Sequence, residues 1–268
     1  MADSSAALSS VSSSSIPSVV DCRRALDIDG YVLFRNAVPA APLAALSKEL
    51  IDKWRADVAG GAMFQGGGNL SGHLNCFPGA ASRFVYTALE AAGVFDIVAA
   101  LSPEKLRKPN IGCNLNLPGS HAQNEHIDGY GAKPFLIVNV AAVDTDLTNG
   151  AMEIINRTHQ REFKYWEILL QGGNRRRVLM KQGDALLRTS VLWHRGMPNH
   201  SSNPRPMLAF TWEDGGSSEA DPYAAHGGKI TFLPNRYNTD WKGRLIERAF
   251  VTAPRLGSVF HAARSLLE

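Results

Sequence analysis

The period of the hydrophobic positions changes partway along the chain. Between residues 42 and 58, Leu43, Leu46, Leu50 and Trp54 recur at three- and four-residue steps, the single apolar stripe that a helix buries. Pro42 suits a first helical turn, and the glycines at 60 and 61 end it. A second stretch, from about Arg83 to Leu101, is apolar on one side and stops before Ser102 and Pro103. Ahead of both, residues 31–35 read as a short strand. From residue 111 the apolar runs become short and are separated by turn signals: 111–117, 134–143, 151–155, 176–180, 184–188 and 206–212. Strands so evenly spaced predict an antiparallel sandwich or barrel rather than a parallel α/β sheet. One helix, over about 159–170, interrupts them. After Trp212 comes a Gly- and Ser-rich loop, then residues 229–237 and a short helical end.

Composition narrows this picture. The chain has 268 residues, 44% of them hydrophobic and 20% charged, enough to bury a full core. A net charge of +3 is too small to imply nucleic acid, and the basic run at 175–177 reads as a solvated loop. No apolar run reaches the ~18 residues that span a bilayer. The three cysteines, Cys22, Cys76 and Cys113, form no CxxC pair and read as buried thiols in a reducing cytoplasm. Residues 1–20 are Ser-rich without a basic segment followed by an apolar one, so a disordered tail is expected rather than a secretory signal. Residues 21–268 then form one domain: helical support over about 40–101, a β core over about 111–213 and an extension from 214 to 268. The stretch 60–73 is Gly-rich but lacks phosphate-loop spacing, leaving a mobile loop or a substrate-binding lid.

The chemistry starts at Asn124–Tyr130. His126 and Asp128 stand two apart, and in a strand residues i and i+2 project from one face, so both can reach one point in space. The pair alone is a weak signal. His194 follows 68 residues later and Arg205 eleven after that. Two histidines and a carboxylate on one side of a metal form the facial triad of non-haem iron(II) oxygenases, with three open positions for a bidentate 2-oxo acid and O₂. The far carboxylate of 2-oxoglutarate still needs a partner, and the guanidinium fork of Arg205 is suited to it. Two further readings use the same three residues: a zinc hydrolase, since three protein ligands plus water also fit catalytic zinc, and a non-catalytic jelly-roll binding protein. Arg205 favours the first, because a hydrolase needs no dicarboxylate anchor.

Further polar side chains stand where a barrel strand is otherwise apolar, and each costs free energy unless paired. Gln123 and Asn139 are candidates for 2-oxoglutarate. Asn114 and Asn116 share one strand face and are expected to point inward. Tyr130, His73, Arg188 and Trp212 are candidates for substrate. Arg188 faces either a polar cavity or a carboxylate at the barrel rim. His121, His159 and His200 lack a partner at ligand spacing and read as structural or exposed.

Over residues 27–212 the chain resembles the phytanoyl-CoA dioxygenase-like branch of the iron(II)/2-oxoglutarate oxygenases. The resemblance rests on residues 27–38, on the His126–Asp128 pair, on the Asn149–Gly150 turn before an apolar strand, on Gly183–Asp184, and on His194 followed by Arg205. It implies a double-stranded β-helix, a jelly-roll barrel backed by helices. It also implies His126, Asp128 and His194 as iron ligands and Arg205 as the 2-oxoglutarate anchor. A small organic molecule would be hydroxylated with release of succinate and CO₂. In related halogenases a small residue replaces the carboxylate; Asp128 is present here, so hydroxylation is expected. Residues 156–159 depart from the sequence frequent in the family. Neither nucleic acid nor membrane is an expected partner, and the sequence does not distinguish a monomer from a homodimer.

Overall fold

The structure is a computed structural model that describes residues 16–61, 66–67, 71–129, 133–171, 174–233 and 241–267. Helix α1 (Val19–Asp29) begins inside the expected tail, with the Ser18 hydroxyl accepting from the Asp21 amide; residues 1–15 lie outside the described residues. Strand β1 (Tyr31–Phe34) follows, then α2 (Ala40–Ala59), in which Leu43, Leu46 and Leu50 are buried as the stripe requires. Beyond β2 (Gly66–Gly67) and β3 (His73–Phe77), the second expected helix proves to be two: α3 (Arg83–Ala91) and α4 (Val94–Leu101). Gly93 between them has φ 74, a left-handed conformation that no helix continues through. Half of the 60–73 stretch, residues 62–65 and 68–70, and with it the lid reading, lies outside the described residues.

The β region contains β4 (Asn110–Asn116), β5 (Leu136–Ala141), β6 (Glu153–Ile155), β7 (Arg175–Arg177), β8 (Ala185–Thr189), β9 (His194–Arg195), β10 (Arg205–Thr211) and β11 (Thr231–Phe232). Antiparallel pairing orders the larger sheet β1-β8-β5-β10-β4-β3-β11 and the smaller one β7-β6-β9. His126 extends the smaller sheet through a bridge to His194. Together the sheets form a double-stranded β-helix. The large sheet carries helices on its outer face.

Strand alternation divides the side chains cleanly. Cys113 and Leu115 of β4, Val138 and Val140 of β5, Ala185 and Leu187 of β8, and Leu208 and Phe210 of β10 pack outward into the cluster shared with α2, α3 and α4. The alternate residues Ala141, Leu186 and Met207 meet Ile154, Val178 and Met180 inside the barrel and close it with an apolar plug. Both faces are buried, which is why these strands read as nearly unbroken apolar runs.

Two expectations require correction. The run Arg175–Arg177 is the half-buried strand β7, not a solvated loop: Arg175 pairs with Glu125 and Glu153, and Arg177 donates to the Ala151 carbonyl. The helix expected over 159–170 is only α5 (Tyr165–Leu169), since Arg157 takes φ 63 and the chain turns until Lys164. The extension after the barrel ends in α6 (Trp241–Thr252) and α7 (Pro254–Leu267), the latter packed on α5. All three cysteines are buried free thiols. No single described helix is long and apolar enough to cross a membrane.

Candidate metal centre

His126, Asp128 and His194 are distant in sequence but adjacent in space because two chain segments lock together at the barrel's open end. The His126 and His194 amides each donate to the other's carbonyl at 3.0 Å, and the Asp128 amide donates to the Ser190 carbonyl at 3.0 Å. The first segment is an extended bridge rather than a regular strand, yet the two-residue spacing still turns both side chains the same way. One ligand atom from each of the three residues lies within 4.8 Å of the others. Asp128 Oδ2 is 3.5 Å from His194 Nε2, and the imidazole centroids are 4.4 Å apart.

The donor set fits a metal. His126 Nδ1 donates to the Asn124 carbonyl at 2.8 Å, and His194 Nδ1 donates to the Leu192 carbonyl at 2.9 Å. Each bond fixes the tautomer that leaves an Nε2 lone pair for a cation, the usual outer-shell arrangement of metal-binding histidines. Burial, reinforced by the charge of Arg188, pushes the His194 imidazole down to about 3 against the pull of Asp128, so it stays neutral. Burial alone would raise the Asp128 carboxyl. The Arg188 cation, with His194 and His126 beside it, outweighs burial and holds it below the ordinary carboxylate range.

These residues open on a cavity of about 350 Å³. Its walls include the inward residues of the large sheet: Asn114 of β4, Ile137 and Asn139 of β5, Arg188 of β8, and Arg205, Met207, Ala209 and Thr211 of β10. Arg205 is buried. Its Nη2 donates to the Gly150 carbonyl at 3.1 Å and its Nε has no protein partner. Among the described residues no carboxylate pairs with it, and burial pushes the guanidinium down to about 10. Gly150 has φ 85, and a Cβ there would lie 2.3 Å from the Asn116 amide nitrogen, so the turn that presents this carbonyl requires glycine.

The other candidate residues divide. Gln123 lines the cavity and its Oε1 accepts from the Gly196 amide at 2.8 Å. Asn139 also lines it, but spends its Oδ1 on Arg188 Nε at 3.0 Å. Asn139 faces Ala209 across the sheet, four residues and roughly 13 Å along β10 from Arg205, so the two stand at different ends of the cavity. Asn114 lines the cavity and donates to Asn75 Oδ1 at 3.2 Å. Arg188 lines it as well and pairs with Asp128, combining the two settings the sequence left open.

Three candidates are not among the cavity-lining residues. Trp212 packs in the outer core with its indole N–H on the Arg107 carbonyl. Asn116 does point inward, but its amide donates to the Met197 carbonyl and its Oδ1 accepts from Ser120, so it ties strand to turn. His73 is buried behind Gly196 with Nε2 on the His121 carbonyl. Tyr130 lies outside the described residues. His159, read as structural, does bond the Asp27 carbonyl.

Sequence reasoning missed Asn75, Thr211 and Glu213 on the cavity wall, and Glu125 behind it. Thr211 shares strand parity with Arg205, so alternation alone could have found it. Glu125 is buried between Arg175 at 2.9 Å and Arg195 at 3.1 Å and accepts from Tyr165, binding the residues beside His126 and His194 together on the outer face.

Solved structures share this fold. The non-heme alpha-ketoglutarate-dependent epimerase SnoN from nogalamycin biosynthesis matches with TM-score 0.55 and 17% identity, over 72% of this chain and 79% of that one. The alpha-ketoglutarate-dependent carbocyclase SnoK from nogalamycin biosynthesis matches with TM-score 0.57 and 14% identity, over 80% and 95%. HygX from Streptomyces hygroscopicus, solved with nickel and 2-oxoglutarate bound, matches with TM-score 0.53 and 14% identity, over 74% and 86%. The architecture is therefore that of the 2-oxoglutarate-dependent non-haem iron oxygenases. Within that class the sequence profile "Phytanoyl-CoA dioxygenase (PhyH)" matches residues 26–207, and the chain belongs to the phytanoyl-CoA dioxygenase family. The family is one of dioxygenases, and SnoN, which shares the fold, is also solved in complex with Fe3+ and alpha ketoglutarate.

Proposed function

We propose that this protein hydroxylates a C–H bond of a small organic molecule, with 2-oxoglutarate and O₂ consumed and succinate and CO₂ released. His126, Asp128 and His194 hold iron(II), and Arg205 binds the far carboxylate of 2-oxoglutarate. The observation that carries this reading is the convergence of two Nδ1-anchored imidazoles and one ionised carboxylate within 4.8 Å, on a cavity containing a buried arginine that no carboxylate among the described residues pairs with. Bound iron supplies dioxygen activation coupled to decarboxylation of the 2-oxo acid. The rest falls to the chain's own residues. The Asn124 and Leu192 carbonyls hold both imidazoles in the metal-binding tautomer. The apolar plug of Leu186, Met207 and Ile154 closes the barrel floor against water. Gln123 shares the cavity with Arg205, and Asn75, Asn114, Thr211 and Glu213 offer polar contacts to the substrate. Retention of Asp128, rather than a small residue in its place, supports oxygen transfer over halide transfer. A hydrolase using the same three donors would have no partner for Arg205.

The test is anaerobic addition of iron(II) and 2-oxoglutarate. The expected result is a weak visible charge-transfer band that requires both components and is lost in Asp128→Ala. A protein that binds both without the band, or gains hydrolytic activity with zinc, overturns the assignment. A screen of small molecules for 2-oxoglutarate-dependent succinate release then identifies the substrate, and the product mass must rise by one oxygen.

A further inference from the structure

The outward faces of the last two helices are apolar. In α7 the positions turned toward the protein are small: Gly257 is buried, and Ser258, Ala262 and Ser265 are half-buried. On the opposite arc Leu256, Val259, Phe260 and Leu266 are exposed, Leu266 at 67%. A surface helix with only water beside it shows the reverse pattern, large apolar residues in and polar ones out. The inner face makes close contacts. A Cβ at Gly257 would lie 2.8 Å from the Asn124 amide nitrogen, the Ser258 hydroxyl is 3.4 Å from that of Tyr165, and Ala262 packs with Ile155, Ile168 and Trp193. In α6 Trp241 and Leu245, one turn apart, are 66% and 60% exposed. Leu169 and Leu170 at the end of α5, on which α7 packs, are exposed as well.

Charge indicates what covers this face. Residues 241–268 hold five basic and two acidic residues, so residues 1–240 hold 23 of each sign and the whole net charge of +3 falls in the last 28 positions. Lys242 and Arg248 are exposed, and Arg248 shares the face of Trp241 and Leu245, two turns and one turn away. We propose that α6 and α7 dock the protein on an anionic membrane. Trp241, Leu245 and the outer face of α7 enter the headgroup layer, while Lys242 and Arg248 meet acidic lipid. At 12 and 14 residues the helices are too short to span a bilayer, and Trp, Phe and Leu beside basic residues is the pattern of helices that lie in its surface. A second copy of the chain is the competing cover. A twofold dimer would press this positive face against its own copy, like charge on like, whereas an acidic leaflet is its complement. The sequence reading missed the surface because +3 is small over 268 residues and appreciable over 28.

The experiment is flotation of the full chain with vesicles of phosphatidylcholine alone and of phosphatidylcholine mixed equally with phosphatidylserine. The expected result is binding to the anionic vesicles only, lost in high salt. Arg248→Gln should weaken it about fivefold, the scale of one basic residue near an acidic leaflet. Trp241→Ser combined with Leu245→Ser should weaken it at least about tenfold, the scale of withdrawing apolar side chains from lipid. Val259→Ser with Leu266→Ser tests the α7 face in the same way and decides the matter if the first pair does not fold. No flotation with anionic vesicles, equal flotation with both kinds, or undiminished flotation of the serine variants overturns the proposal. A chain that ignores vesicles but forms a dimer that the serine variants dissociate overturns it too, and gives the face to a second copy.

Discussion

Arg205→Met should weaken 2-oxoglutarate binding and stabilise the ligand-free protein at the same time. The guanidinium is 4% exposed, has a single carbonyl bond, and no carboxylate pairs with it among the described residues. Burial lowers it from 12.5 to about 10, and at 1.36 kcal/mol per pKa unit this corresponds to about 3 kcal/mol of strain in the charged form. A bound dicarboxylate would relieve that strain. Truncating one partner of a buried charge pair costs about 2–5 kcal/mol, roughly 30-fold to several-thousand-fold in affinity. Methionine fills much of the same volume without a charge to desolvate, so the ligand-free variant should gain about 1–3 kcal/mol, within the range seen when buried ionic groups are replaced by apolar ones. Isothermal titration of the Co(II)-loaded protein with 2-oxoglutarate gives the first quantity, and urea unfolding without ligand gives the second. Unchanged 2-oxoglutarate affinity would remove the reason for assigning this cosubstrate to Arg205. Weakened affinity together with a destabilised ligand-free protein would show that Arg205 is part of the structural framework and not an unpaired cation awaiting an anion.

Two further expectations follow from the same geometry. His126→Ala and Asp128→Ala should each abolish stoichiometric Co(II) retention after gel filtration, whereas Arg205→Met retains the metal; full retention in either triad variant would refute the site. His73 is pushed by burial down to about 4 from 6.5, so the unfolded chain binds a proton between these values that the folded chain refuses. Its neutral form therefore adds stability that is complete above about pH 6.5 and is lost as pH falls toward 4, on the order of 3 kcal/mol. His73→Gln, measured by urea unfolding across that window, should flatten the acid limb, and an unaltered limb would place the titration elsewhere.

What could be read from the chain, and what could not, follows from which forces are local. The short apolar runs of β5, β8 and β10 are a local signal carried by neighbouring residues, and they marked strands where the structure has them. The His126–Asp128 spacing survives even though the segment is a bridged loop, because an extended backbone turns alternate side chains the same way whether or not it is in a long ladder. The basic run in β7 was misread because its acidic partners, Glu125 and Glu153, lie far away in sequence and local charge counting cannot see them. Trp212 was misassigned because an indole satisfies a core position and a cavity wall equally well, and the Arg107 carbonyl that decides between them is 105 residues away.

Asn139 and Asn116 expose the deeper limit. Parity establishes that a polar residue faces inward, but the height at which it meets the cavity depends on the register between strands. Asn139 is paired with Ala209 and Leu186, which brings it beside Arg188 and Asp128. Asn116 is paired with Arg205, which brings it to the turn at Gly150 and Met197. Two inward asparagines thus serve opposite ends of one barrel, and nothing local to either distinguishes them. The same register explains why Arg188 and Arg205, both inward and both buried, carry different duties. One lies within bonding distance of the acidic member of the triad, and the other lies at the Gly150 turn, where among the described residues no carboxylate pairs with it.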